Sequence, residues 1–420
     1  MGCILVSLVF AFRIQLFNFI NNPRFQTRII GIQGLYTLDN LPDEIVSKIS
    51  YGLTINSEDD KPINSPLVES LQLQNNNQDY VFTLNPNLYW QNGKKFTAYD
   101  INYQIEGITL DPISPTAIKM SVKSPFVPLL TTLSKPLFKK PMIGLGDYKI
   151  QSITYKEGYV STLKLIPMVE NKQTLLYRFY SNEKDLSDSY KIGTVDEIQI
   201  NSLPQELTKW NNTKISQEIV TTKKYSAIFF NTQIISNKQT RQALAYATPK
   251  TNDKNERCIS PISPISWAYN PTVKNYNYNE TRAKELFDKN KIEKISIAVT
   301  DRNLLSTAES IKNAWKSILG IDATITVENQ IDLNNFEAVL SYGSIPHDPD
   351  QYLFWHSTQT STNITKFNNS RIDKLLEDGR QTFDQQERKN IYQDFQKFLL
   401  EESPVIFLSY PTTFTISRVK

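Results

Sequence analysis

The chain has 420 residues, of which 40% are hydrophobic and 21% charged, a composition typical of a folded protein long enough for two or three domain-sized cores. The 46 Lys and Arg residues stand against 43 Asp and Glu, and this balance argues against a nucleic-acid-binding protein that tracks phosphates. Cys3 and Cys258 lie in unlike surroundings with no Cys/His cluster nearby, which argues against a disulfide and excludes a structural zinc site.

The N-terminus carries a short apolar run at residues 3–12, followed by Arg13 and a second apolar stretch. The run is too short to span a bilayer unless Arg13 is carried in or snorkels. Because a polar, linker-like segment follows, we expect residues 1–23 to form a signal or membrane-anchor segment. A buried strand or helix is the alternative.

After residue 24 the pattern alternates between strands and helices. Residues 80–84, 117–123 and 195–200 alternate like half-buried strands. Residues 225–231 form a denser apolar run, which is typical of a strand covered on both faces. A helix is predicted from Thr240 to Ala247.

The C-terminal half gives the clearest helices. Residues 305–319 place their apolar side chains on one stripe, and Gly320 is expected to end that helix. Asp384 and Glu387 form a capping-box pattern at the start of a helix over 384–401. A helix followed by strands recurs through residue 342, a βαβ rhythm that predicts a mixed or parallel sheet and an α/β fold class, with an α+β class of two lobes as the alternative.

No catalytic motif is present. The chain has two histidines, His347 and His356, and neither accompanies a recognisable nucleophile. The G-x-S-x-G, HExxH, Walker A and G-x-G-x-x-G patterns are absent. We therefore expect no enzymatic activity and no cofactor.

Five segments carry family landmarks in one order. The first reads through ISYGLTINS and continues to a Trp, an Asn-Gly turn and a Phe-Thr-Ala-x-Asp helix start, in which Thr97 is expected to cap a helix carrying Ile101 and Tyr103. The second segment has Gly-x-Gly-x-Tyr, the third has FN…RQA, and the fourth has a Pro-rich loop followed by a helix. The fifth has Asp-Pro followed by Asp-x-Leu-Leu, Glu-Arg and Pro-x-x-x-Leu. The segments span 49–105, 144–150, 225–248, 261–287 and 347–410.

Together these segments resemble the family 5 extracellular solute-binding proteins, which include oligopeptide, dipeptide and nickel-complex receptors. The resemblance implies a two-lobed periplasmic-binding-protein-like fold of class II, with lobes joined by crossing strands. The first lobe would comprise residues 24–222 plus 405–420, with a shortened extra subdomain at about 51–145. The second lobe would run over 223–404.

The implied function is the extracytoplasmic substrate-binding component of an ABC transporter, in the periplasm or at the outer face of the cell membrane. It would capture peptides by hinge closure and deliver them, as a monomer, to a permease. A receptor for a nickel-type metal chelate or another non-peptide solute is the main alternative. An interaction module that keeps the fold but binds no solute is a third.

Aromatic residues with a polar tip suit an interlobe cleft, because they offer apolar area and a hydrogen-bonding group together. A buried packing role is the alternative for each aromatic residue. Arg241 and Asp373 match family positions for which we expect fold-supporting roles. The predicted ligand-binding residues are Tyr36, Trp267, Tyr269, Tyr342, Trp355 and His356.

One departure from the family concerns the carboxylate that many of its peptide receptors use to hold the ligand's free amino group. Ile345 or its neighbours stand where that Asp is expected. Asp348 or Asp350 is a substitute, or else caps the next helix. In the metal-chelate alternative these two carboxylates converge with His347 and His356, since imidazole and carboxylate suit Ni(II).

Overall fold

The structure, a computed structural model, describes residues 26–56, 62–140, 142–287, 292–328, 332 and 335–419. The predicted signal or anchor segment at residues 1–23 lies outside the described residues. Within the described ranges, no helix has the length and apolar character needed to cross a membrane.

Strands and helices alternate along the described chain. The strands are β1 Thr27–Gln33, β2 Thr54–Asn56, β3 Pro62–Asn64, β4 Val68–Gln74, β5 Asp79–Leu84, β6 Ile108–Ser114, β7 Ala117–Val122, β8 Tyr148–Lys156, β9 Tyr159–Pro167, β10 Thr174–Tyr180, β11 Glu197–Ile200, β12 Thr213–Ile219, β13 Lys224–Phe230, β14 Lys294–Val299, β15 Asp322–Val327, β16 Ala338–Ser344, β17 Val405–Ser409 and β18 Thr412–Arg418. The helices are α1 Asp43–Ile49, α2 Leu129–Thr132, α3 Glu183–Lys191, α4 Lys238–Ala247, α5 Glu280–Phe287, α6 Leu305–Leu319, α7 Tyr352–Trp355, α8 Ser370–Gln381 and α9 Gln385–Glu402.

The first lobe, as we use the term, is built on a sheet of strand order β12-β18-β11-β1-β10-β9-β8. β1 is parallel to β10 and β11, and the remaining pairs are antiparallel. On one face, Ile45 and Ile49 of α1 pack against β9 and β10. On the other, Leu186 and Tyr190 of α3 pack against β11 and β18. On the face of the sheet that carries α1, this helix therefore does not cover β11 and β18.

The second lobe is built on a sheet of strand order β15-β14-β16-β13-β17. β14 is parallel to β15 and β16, and α6 connects β14 to β15, which confirms the predicted βαβ unit. Trp315 of α6 is fully buried, and Gly320 ends the helix in the left-handed conformation with φ 75°. At the start of α9, the Asp384 carboxylate accepts the Glu387 backbone N–H at 2.7 Å, as the capping pattern predicts.

A subdomain, which we define as the sheet β4-β5-β7-β6 with the β2–β3 pair, has its own core around Tyr80, Phe82 and Trp90. The predicted helix after Thr97 is only a single 3-10 turn, although the capping box itself is present. Ile101 leaves the turn in an extended conformation and enters this core, since its burial outweighs continued helix.

Two adjacent chain crossings join the lobes. One runs from β12 into β13, and the other from β17 into β18. The Val220 N–H donates to the Pro411 carbonyl at 2.8 Å, so the crossings lie side by side as a hinge. β17 pairs with β13 in the second-lobe sheet, because its VIFLS sequence is buried there, so the return to the first lobe begins at Thr412 rather than at residue 405.

Candidate functional site

The carboxyl ends of the parallel strands in both sheets lie on the hinge side. In the first sheet Ile200 pairs with Phe414, just after one crossing, and in the second sheet Ser344 pairs with Lys224, just after the other. Ligands in open α/β sheets bind outside the carboxyl ends of strands. The strand ends that meet this criterion are Gln33, Tyr180, Ile200, Val299, Val327 and Ser344.

The first lobe contributes a groove of about 590 Å³ between α1 and the uncovered face of its sheet. Tyr36 lies on its wall, with its hydroxyl donating to the Gln33 carbonyl at 3.1 Å and its ring 5.4 Å from Phe179. Burial and, to a lesser degree, the Glu44 charge raise the pKa of Tyr36, so this hydroxyl stays protonated. The polar groove residues are Arg28, Gln33, Glu44, Lys48, Glu197, Gln199, Asn201, Thr413 and Thr415.

The second lobe presents Tyr342 near the end of β16. The ammonium of Lys224 lies 4.3 Å from the centre of the Tyr342 ring, a cation–π contact. Burial, followed by the charge of Asp301, raises the pKa of Tyr342. This edge therefore combines an aromatic ring, a protonated hydroxyl and a cation.

Two contacts join the lobes in addition to the backbone of the hinge crossings, one made by a side chain of a crossing and one at a distance from them. The Lys223 ammonium lies 3.4 Å from the Glu44 carboxylate of α1. The Val127 N–H of the subdomain donates to the Arg380 carbonyl at the end of α8, at 2.9 Å. The cleft between the two carboxyl edges is thus bridged once from helix α1 of the first lobe and once from the subdomain.

Trp355 belongs to the second-lobe core rather than to a cleft wall. Its side chain is only 1% exposed, its ring stacks on Phe229 at 6.5 Å, and its indole N–H donates to the Gln351 side chain at 3.2 Å. The predicted binding role is therefore replaced by a packing role, because the α7 turn directs this ring against β13.

His356 is also buried, at 4% exposure. Nδ1 lies 2.8 Å from the Thr358 hydroxyl, Nε2 lies 3.3 Å from a Glu377 carboxylate oxygen, and the ring stacks on Tyr352 at 4.0 Å. These contacts within the second lobe engage both ring nitrogens, in contrast with the predicted contact to a ligand.

Trp267 and Tyr269 are half-buried in a loop packed on the same core. The Trp267 ring lies 5.6 Å from the Arg388 guanidinium, and the Tyr269 carbonyl accepts from the Gln393 side chain at 3.4 Å. Burial raises the pKa of Tyr269 to about 12. Of the six predicted residues, Tyr36 and Tyr342 lie near the carboxyl edges of the two sheets, where each also packs against the core of its own lobe, whereas the other four pack on the core beside β13.

Asp348 and Asp350 are both paired with arginines. Both Asp348 oxygens accept from Arg388, at 2.9 and 2.5 Å, and Asp350 accepts from Arg380 at 2.9 Å and caps Tyr352. Burial raises the pKa of Asp350 although Arg380 opposes this. Neither carboxylate is left for an amino-group clamp, and Ile345 itself is buried in the core.

The metal-binding arrangement considered for His347, Asp348, Asp350 and His356 is not formed. In the part of the chain that the structure describes, no three or more His, Cys, Asp or Glu side chains are grouped to hold a metal ion. The carboxylates face arginines, and His356 faces Thr358 and Glu377.

The fold-supporting roles expected for two polar residues are confirmed. The Arg241 guanidinium donates to four backbone carbonyls, including those of Ser403 and Glu402, which anchors α4 to the end of α9. Asp373 accepts from the backbone and hydroxyl of Ser357, at 2.9 and 2.6 Å.

Sequence reasoning missed most of the groove. Lys48, Gln199 and Thr413 come from three distant segments, and they are brought together by the packing of α1 on the sheet and by the pairing of β11 with β18. At the facing edge of the second lobe, the local signal is Lys224, a cation at the first position of a strand that is otherwise fully buried.

The family model for "Bacterial extracellular solute-binding proteins, family 5 Middle" matches residues 113–364, more than half of the chain. The chain belongs to this family. It is therefore an extracytoplasmic solute-binding protein with the two-lobed fold that the sequence predicted.

Relatives of this solute-binding protein have different ligands in their names. The probable D,D-dipeptide-binding periplasmic protein DdpA of Escherichia coli is 20% identical, with 82% of this chain and 79% of that protein covered. NikZ from Campylobacter jejuni, solved in complex with Ni(L-His), has a TM-score of 0.79 at 21% identity over 93% of this chain and 94% of its own. The oligopeptide-binding protein AppA from Bacillus subtilis, solved with a nonapeptide, has a TM-score of 0.75 at 19% identity over 94% and 95%.

Proposed function

We propose that this solute-binding protein is the receptor of an ABC importer and that it captures peptides between its lobes. The observation that carries the proposal is the placement of two carboxyl sheet edges on either side of a two-stranded hinge, with Tyr36 on one and Tyr342 on the other. The peptide-binding names of DdpA and AppA support the ligand class.

Hinge closure provides the mechanism. A solute that contacts both edges binds the closed form better than the open one, so it shifts the population toward closure. The paired crossings at Val220 and Pro411 allow this rotation while keeping the two sheets connected. The closed, loaded form then docks on the permease as a monomer.

The groove chemistry suits a peptide. Amide and hydroxyl groups of Gln199, Asn201 and Thr413 pair with a ligand's backbone groups, while the Tyr36 and Tyr177 rings supply apolar area. This mixture of polar groups and apolar rings in the groove accommodates peptide side chains of varied polarity. Residues 1–23 would hold the receptor at the membrane or direct its export.

A metal chelate is the second candidate ligand, and the structural similarity to NikZ with bound Ni(L-His) favours it. Because the described residues form no metal-ligating group, such a chelate would be recognised through its organic ligand rather than through protein–metal bonds. Its recognition would use the same two edges.

Native mass spectrometry of the full chain, purified without denaturant, tests the proposal. A ladder of added masses that fragment into peptides supports the peptide receptor. A single mass with a nickel isotope pattern replaces it with the chelate receptor. The matched control is a Tyr36→Ala, Tyr342→Ala double variant with an unchanged melting temperature, which should lose the added masses. Protein that stays empty after incubation with peptide and nickel–histidine mixtures contradicts both.

A further inference from the structure

A small cavity lies in the second lobe, apart from the cleft. Its volume is about 10 Å³, which is room for one particle of about the size of a water molecule. The cavity is lined by the segment after α4, by the end of α9 and by β17. Its charged lining residues are all cations, namely Lys250, Arg257 and Lys274, and its apolar lining includes Leu400, Val405 and Phe407.

Lys250 folds back on the end of α4. Its ammonium donates to the carbonyl oxygens of Ala245 at 2.5 Å and Thr248 at 3.0 Å. These two neutral acceptors engage two of its three N–H groups. Burial, followed by the charge of Arg257, lowers the pKa of Lys250 well below its ordinary value. The positive charge of this ammonium is therefore costly unless a negative charge lies beside it.

The guanidinium of Arg257 likewise has only carbonyl oxygens as acceptors among the described residues. It donates to the carbonyls of Phe407 at 2.8 Å, Leu408 at 3.0 Å and Asn275 at 2.7 Å, and to that of Cys258. Burial lowers the pKa of Arg257 to about 10. Both cations are thus removed from water and held by neutral groups.

The carboxylates around these two cations are engaged elsewhere. Lys274, the third cation of the lining, pairs with Glu401 at 3.4 Å. Glu256, the residue before Arg257, accepts from two threonine hydroxyls. No carboxylate of the described residues pairs with Lys250 or Arg257. The cavity is therefore bordered by two positive charges that the protein leaves unneutralised.

We propose that this cavity binds one chloride ion, held by Lys250 and Arg257. A monovalent anion there attracts both cations and offsets the repulsion between them, so it stabilises the folded second lobe. Size selects the ion, because room for a single water-sized particle excludes sulfate and phosphate. The apolar side chains of Leu400, Val405 and Phe407 lower the local dielectric and so strengthen the attraction.

Thermal unfolding of the full chain in sodium chloride and in sodium gluconate, at equal ionic strength and pH, tests this site. Because the ion binds the folded state, the wild-type melting temperature should rise by about 2–4 °C between no chloride and about 100 mM chloride. Sodium bromide should act in the same way, whereas gluconate is too large for the cavity. Lys250→Met, confirmed as folded by circular dichroism, should lose this dependence on halide.

Lys284→Met is the matched control, because Lys284 is an exposed lysine of α5 outside the cavity and its loss changes the net charge equally. It should keep the halide dependence. Crystals grown without chloride and soaked in bromide should show an anomalous scattering peak in the cavity, which decides the matter if Lys250→Met does not fold.

Three results would each overturn the chloride site. They are equal wild-type melting temperatures in chloride and gluconate, an unchanged halide response in Lys250→Met, and a cavity without a bromide peak. None of them bears on the capture of solutes between the lobes, which native mass spectrometry tests separately.

Discussion

The backbone N–H of Val127 donates to the carbonyl oxygen of Arg380 at 2.9 Å and so connects the subdomain to the second lobe. The Arg380 guanidinium extends this contact, since it lies 5.2 Å from the Phe126 ring centre and pairs with Asp350. This arrangement of the two lobes is therefore stabilised by contacts that do not involve a ligand.

Phe126→Ala should open the empty receptor. The change removes the subdomain ring that the Arg380 guanidinium contacts but leaves the partly buried Asp350–Arg380 pair intact, so an interlobe contact is lost without unpairing a charge. We expect a larger radius of gyration in small-angle scattering of the empty protein and a solute affinity about 3- to 10-fold lower, because closure then costs more.

The control for this variant is Lys374→Ala, which removes an exposed ion pair with Asp378 on the same helix, α8. It should leave both scattering and affinity unchanged. If Phe126→Ala scatters like the wild type, the Phe126–Arg380 contact does not set the closed population.

Arg388→Met should destabilise the second lobe strongly. The variant leaves Asp348, which is 6% exposed, as an uncompensated buried charge and removes the bond from Arg388 to the Gly379 carbonyl. Breaking a buried pair in this way costs about 3–5 kcal/mol, which urea unfolding measures. Lys184→Met, which breaks the exposed pair with Asp188, should leave the unfolding free energy nearly unchanged. Similar losses in both variants would contradict a buried role for the pair.

Trp355→Ala and Tyr36→Ala should differ in which property they lose. Truncation of the fully buried Trp355 ring costs about 3–5 kcal/mol of unfolding free energy. Tyr36 lines the open groove, so its truncation should weaken peptide binding with a much smaller loss of stability. The stability of both variants is measured by urea unfolding, and their peptide affinity is measured by calorimetry. A stable Trp355→Ala protein with lost binding would return Trp355 to the binding site.

The sequence predicted what local periodicity determines and missed what distant pairing determines. The stripe containing Trp315 and the stop at Gly320 define α6, because both signals lie within the helix itself. Trp355 sits in a helix of four residues, too short for a periodic pattern, and only the contact with Phe229 on β13 shows its burial.

Cys258 should make the receptor lose stability at alkaline pH. Burial raises the pKa of its thiol from 9.0 to about 11, so the folded state holds the thiol proton more tightly than the unfolded state. That contribution is complete below pH 9 and is lost as pH rises toward about 11, at about 1.4 kcal/mol per pH unit. The unfolding free energy measured with urea should therefore fall more steeply from pH 8 to 11 in the wild type than in Cys258→Ala. Tyr80, with a pKa of about 12, adds the same slope to both proteins. Parallel pH profiles would show that the thiol is not protected by burial.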